Sequence, residues 1–93
     1  MKREAQEIET IPVENLLARV GQQKTAGDRL VAISCAAVEG MYEITYSFED
    51  RDHRFVHLRA VVEPGATVPS VTPVYWGAFV YENEIHDLYG ITV

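Results

Sequence analysis

The densest gathering of titratable side chains in this 93-residue chain lies near its end, where Glu82, Glu84, His86 and Asp87 fall in one short segment. Carboxylates and an imidazole at such spacing invite a metal or an acid–base reading. A di-iron carboxylate site built on helices needs Glu-x-x-His, and the position three before His86 is Asn83. A zinc protease needs His-Glu-x-x-His, whereas His53 and His57 fall in a predicted turn and a predicted strand. At about 100° per residue Glu84 points well away from His86. Glu82 and Asp87 could approach as a carboxylate pair, yet acid–base catalysis needs a concave pocket, and a chain this short encloses little. These acids therefore read as solvated, or as paired with a partner.

Cys35 is the only cysteine. One thiol forms no internal disulfide and cannot hold a four-cysteine iron–sulfur cluster within this chain. Its apolar surroundings mark it as an inert core thiol. No loop resembles a phosphate cradle, because Gly65 and Gly77 stand isolated.

The formal charge is −6. Nucleic-acid binding wants a basic face, and here the eight Lys and Arg are scattered. No Lys or Arg follows Arg59, while Glu63, Glu82, Glu84 and Asp87 do, so a partner docking on the last third is expected to be basic or neutral. Residues 1–10 include Glu4, Glu7 and Glu9 with no apolar stretch, unlike a signal peptide, and the expected location is cytosolic. No apolar run reaches the roughly 18–20 residues that span a bilayer.

These residues must be positioned by few elements. A short strand is expected at 7–11. Val13, Leu16, Leu17 and Val20 then fall at i, i+3, i+4 and i+7, an amphipathic helix with Pro12 in its first turn and Gly27 as its stop. Residues 30–38 form an apolar run that reads as a strand buried on both faces, and Glu39-Gly40 reverses the chain. Tyr42, Ile44, Tyr46 and Phe48 alternate with Glu43, Thr45, Ser47 and Glu49, which predicts a half-buried strand with its aromatics inward. Val56, Leu58, Ala60 and Val62 alternate likewise, so 30–62 is a three-stranded meander. A loop at 64–69 precedes a second helix, expected to start at Thr72-Pro73 with Thr72 as its cap and to end at Gly90. The order β-α-β-β-β-α defines an α+β single domain over 1–93, an antiparallel three- to four-stranded sheet covered by two helices.

The second helix carries more apolar surface than one side can bury. Ala78, Tyr81, Ile85, Leu88 and Tyr89 form a stripe wide enough to cover the sheet. Trp76, Phe79 and Val80 fall on the other side among Asn83 and Asp87. Large aromatics among a few polar anchors are the composition of an interface hot spot. The plainer alternative is that the loop at 64–71 folds over this side.

The segment 69–90 reads PSVTPVYWGAFVYENEIHDLYG. It resembles the C (thirty-kilodalton) subunit of respiratory NADH dehydrogenase, in which a PSVT loop leads into a helix carrying Glu-Arg-Glu-x-x-Asp-x-x-Gly. Pro69, Ser70, Val71 and Thr72 match the loop, and Glu82, Glu84, Asp87 and Gly90 match the helix. Asn83 stands where the respiratory family has arginine, and the basic tail after the family's glycine has no counterpart. In these respects the segment is similar to the corresponding small subunit of energy-converting, membrane-bound nickel–iron hydrogenases.

The resemblance implies a non-catalytic assembly subunit of a peripheral arm. It would hold no flavin, cluster or nickel and would pack on the large catalytic subunit, cytoplasmic and reaching the membrane only through the complex. Trp76, Phe79, Glu82, Asn83, Glu84, His86 and Asp87 would form that partner interface, and the isolated chain could self-associate through it. A small regulatory ligand-binding or oligomerising α+β module is the rival reading.

Overall fold

The computed structural model describes residues 7–93. Its elements are β1 (Glu7–Ile11), a 3-10 turn (Val13–Asn15), α1 (Leu16–Thr25), β2 (Arg29–Val38), β3 (Met41–Glu49), β4 (Phe55–Val62) and α2 (Ala78–Tyr89). The four strands form one sheet in the order β1-β4-β3-β2. The architecture is α+β.

One pairing corrects the expected antiparallel sheet. β2, β3 and β4 are an antiparallel meander, but β1 pairs with β4 in parallel. After β1 the chain crosses through α1 to the far edge and returns in three alternating strands. The third of these necessarily runs the way the first did, and β1 shares that direction. The sheet is mixed.

Local chemistry sets the turns. Glu39 and Gly40 both have positive φ, 51° and 80°, as a two-residue hairpin between β2 and β3 requires. At the end of α1, Gly27 takes φ 89°, and Asp28 N donates to Gln23 O at 3.0 Å while Gly27 N donates to Lys24 O at 3.0 Å. This left-handed closure pairs carbonyls that the helix end would otherwise leave open.

Tyr46, Phe48 and Ile44 are buried as their alternation predicts, together with Leu58, Ala60 and Val62 opposite them. Ile11, Leu16 and Val20, with Ile33, Val68, Val71, Tyr75, Ala78, Ile85 and Ile91, complete the core. Leu17 is 43% exposed, so the buried stripe of α1 is narrower than its pattern.

The strand 30–38 is not buried on both faces. β2 is an edge strand covered on one side only, so Ile33 alone is buried and 36–38 are exposed. Cys35 is accordingly half-buried against the core rather than within it, and burial pushes its thiol pKa up. Among the described residues, no helix is long and apolar enough to cross a membrane.

Candidate functional site: the C-terminal helix and its seat

The expected helix start at Thr72-Pro73 is five residues early. Residues 72–77 are successive turns, and α2 begins at Ala78 with Gly77 before it and no side-chain cap. Thr72 does not cap the helix because Glu82 captures it. Thr72 Oγ1 donates to Glu82 Oε1 at 2.9 Å, Ser70 Oγ donates to the same oxygen at 2.7 Å, and Val71 N donates to Oε2 at 2.7 Å. Ser70 Oγ in turn accepts from Thr72 N at 3.2 Å. The PSVT loop thus folds around one carboxylate.

Glu82 is 6% exposed, which corrects its assignment to a partner-facing surface. Both of its oxygens are spent inside the chain. The inward stripe of α2 runs Ala78, Glu82, Ile85, Tyr89, and Leu88, expected on it, is 70% exposed. The later start of the helix and the inward pull on Glu82 set this rotation.

A second fixture was not foreseen. Tyr75 Oη donates to Asp28 O at 2.7 Å, Tyr81 Oη to Val31 O at 3.0 Å and Tyr89 Oη to Cys35 O at 2.9 Å. Val31 is the extra residue where the β2–β3 register shifts, and Cys35 lies opposite Ile44 in a pair whose carbonyls point away from β3. From Tyr81 to Tyr89 a helix rises about 12 Å, and from Val31 to Cys35 a strand advances about 13 Å. Helix and edge strand therefore match in pitch, and α2 lies clasped along β2. The available signal was residue type, since a Tyr on an inward helix face brings a hydroxyl that needs a partner.

Beyond α2, His86 Nδ1 lies 3.0 Å from Ile91 O, and because a carbonyl only accepts, that nitrogen carries the proton. Val68 N donates to Thr92 O at 2.8 Å, tying the end of the described chain to the loop before α2.

The opposite side of α2 is open. Trp76 is 79% exposed, Phe79 41% and Val80 56%, and the Trp76 and Phe79 rings meet edge to face at 5.4 Å. Asn83, Glu84 and Asp87 are exposed beside them. The loop at 64–71 does not cover this side. It turns Val68 and Val71 into the core instead.

The predicted site residues thus separate into three groups. Trp76, Phe79, Asn83, Glu84 and Asp87 share solvent, Glu82 faces inward, and His86 is tied to the chain after the helix. His53, in the turn between β3 and β4, lies against Glu49 at 3.3 Å, and His57 of β4 lies against Ser47 at 2.8 Å, both far from the helix in sequence. Among the described residues no three of His, Cys, Asp and Glu come together as metal ligands. The arrangement is suited to presenting a face.

A mixed sheet crossed by one helix and clasped along its edge by a second, with aromatics exposed beside that second helix, is a small α+β domain. The family model for the respiratory-chain NADH dehydrogenase 30 Kd subunit matches residues 7–93, and the chain belongs to that family. It is similar to the mitochondrial NADH-ubiquinone oxidoreductase 30.4 kDa subunit of Neurospora crassa, with 28% identity over 83 residues. That alignment takes in 87% of this chain and 29% of the relative, so the chain spans less than a third of the relative's length.

Proposed function

We propose that this chain is a non-catalytic assembly subunit that docks a larger catalytic subunit in the peripheral arm of a membrane-associated redox complex. The complex is NADH dehydrogenase-like or, given Asn83 in place of the family's arginine, a ferredoxin-linked energy-converting hydrogenase. One observation carries the reading: the turn before α2 and its solvent side present the touching rings of Trp76 and Phe79, with Val80, Asn83 and Asp87 exposed on the same helix. A small soluble domain gains nothing by hydrating such a patch, and burying it against a partner returns the hydrophobic contribution. In this reading flavin, clusters and nickel belong to other subunits, and the chain meets the membrane only through them. Alone, it hides the patch by self-association.

The test is Phe79→Asp. The ring lies on the open side, so the fold tolerates the change, while a charge stranded in a dry interface prevents assembly. A thermal melt is compared with co-purification of the large subunit. Normal assembly of the variant, or its outright unfolding, defeats the reading.

A further inference from the structure

The turn that leads into α2 forms one wall of a cleft of about 580 Å³. Lys24 and Gly27 at the end of α1, with Asp28 and Arg29 at the start of β2, form the other wall. Tyr75 and Tyr81 lie within it, and the exposed Trp76 stands at its lip, so the cleft opens directly onto the aromatic patch.

Its charge is opposite to that of the chain. Lys24 and Arg29 line it, and the Arg51 guanidinium lies against Gly27, within 2.8 Å of where a Cβ would stand. Of the nearby acids, Asp28 is 9% exposed, with Oδ2 taken by Gln23 Nε2 at 2.7 Å. Glu49 has a side chain 14% exposed and accepts from Arg29 Nε and Nη2. Of the charged residues that line the cleft, those that reach solvent are the cations: the Arg29 side chain is 73% exposed, and Lys24 Nζ rests 5.0 Å over the Tyr75 ring. Further along the outer side of α2, Glu84 and Asp87 are exposed.

We propose that this cleft receives an acidic segment of the docking partner, a carboxylate between Lys24 and Arg29 with an apolar neighbour against Trp76. The proposal rests on the docking reading above and adds its polarity. The surface has a cationic end, an aromatic middle and an acidic end, and a partner of reversed polarity fits it in one orientation only. Arg29 Nη1 remains to donate to such a carboxylate, and opposed charges at the rim fix register more than they add affinity.

A water-soluble carbodiimide joins amines to carboxylates already in contact, so it reads the contact in the intact complex without the partner's identity. The expected product is Lys24 joined to an Asp or Glu of another subunit, identified by mass spectrometry of tryptic peptides. Lys24→Arg removes that product while the complex still assembles. Lys24→Glu combined with Arg29→Glu lowers the assembled fraction roughly tenfold at physiological salt. The cleft proposal is overturned if Lys24 in the complex stays open to acetylation, or joins only carboxylates of its own chain. Should that occur while Phe79→Asp still abolishes assembly, docking stands and its polarity is wrong. Should Phe79→Asp assemble normally, both fail.

Discussion

Replacing Glu82 tests what holds the C-terminal helix in place. Its carboxylate accepts from Ser70 Oγ, Thr72 Oγ1 and Val71 N, all within 2.9 Å. In Glu82→Ala the hydroxyls of Ser70 and Thr72, both half-buried, can turn toward water, and each loss costs about 1 kcal/mol. Val71 N has no such exit, because Val71 is fully buried, and a stranded buried donor costs about 1–3 kcal/mol. The expected loss is about 3–5 kcal/mol. For a chain of this length total stability is about 5–14 kcal/mol, so at least about a fifth of it depends on one side chain.

Glu82→Gln separates charge from shape. With the amide oxygen kept on Val71 N, the NH2 donates to the Ser70 and Thr72 hydroxyls, which turn from donor to acceptor, so charge-assisted bonds become weaker neutral ones. About 2 kcal/mol is expected, between wild type and Glu82→Ala. Urea unfolding gives the free energies, and amide exchange should show α2 opening before the sheet. A loss below about 1 kcal/mol for Glu82→Ala would refute the argument, since it would mean that the loop finds equal partners elsewhere.

Phe48 is fully buried and packs on Tyr75 at 5.6 Å between centroids, so Phe48→Ala should cost about 3–5 kcal/mol in the same assay. Tyr81→Phe and Tyr89→Phe each keep the ring and lose one hydrogen bond, for about 1 kcal/mol apiece. The double variant also unguards the carbonyls of an edge strand that carries no charge beyond Arg29, and concentration-dependent association by light scattering is the expected result; a monomer at every concentration would count against it. Tyr75 is shifted from 10 up to about 12, first by burial and then by the nearby Asp28 carboxylate. Below pH 10 neither state ionises. Between 10 and 12 only the unfolded chain does, so stability falls as pH rises through that window. Tyr75→Phe should then raise the midpoint of alkaline unfolding, and an unchanged midpoint would contradict the assignment.

The sequence carried the meander plainly, because alternation over Tyr42, Ile44, Tyr46 and Phe48 has a period that only one register satisfies. It was less informative wherever the decisive neighbour is distant in the chain. An apolar run such as 30–38 looks the same whether it is central or at an edge, and only sheet order exposed 36–38. The direction of β1 depended on the parity of strands that follow it. Thr72-Pro73 has every local mark of a helix start, yet a carboxylate ten residues later claims the Thr72 hydroxyl. In the candidate site, the exposure of Phe79 and Val80 followed from helical spacing, whereas Trp76 is exposed in the turn before the helix. The cleft did not follow from spacing, because Lys24 and Arg29 meet Trp76 only through the fold.

The division of the acids on α2 has a geometric cause. Residues two apart on a helix differ by about 200°, so Glu82 and Glu84 cannot face the same way. Once the loop donors draw Glu82 inward, Glu84 is driven outward, and Asp87 lies about 500° from Glu82, again on the outer half. The tyrosine hydroxyls then remove the remaining freedom to slide, since a shift of one residue would move each Oη about 1.5 Å from its carbonyl. Phe79 and Trp76 are thereby held outward by contacts made entirely on the other side. A helix seated only by apolar packing could roll to bury them. One seated by a carboxylate and hydroxyls of fixed reach cannot do so without stranding buried polar groups, and that cost keeps the aromatics exposed.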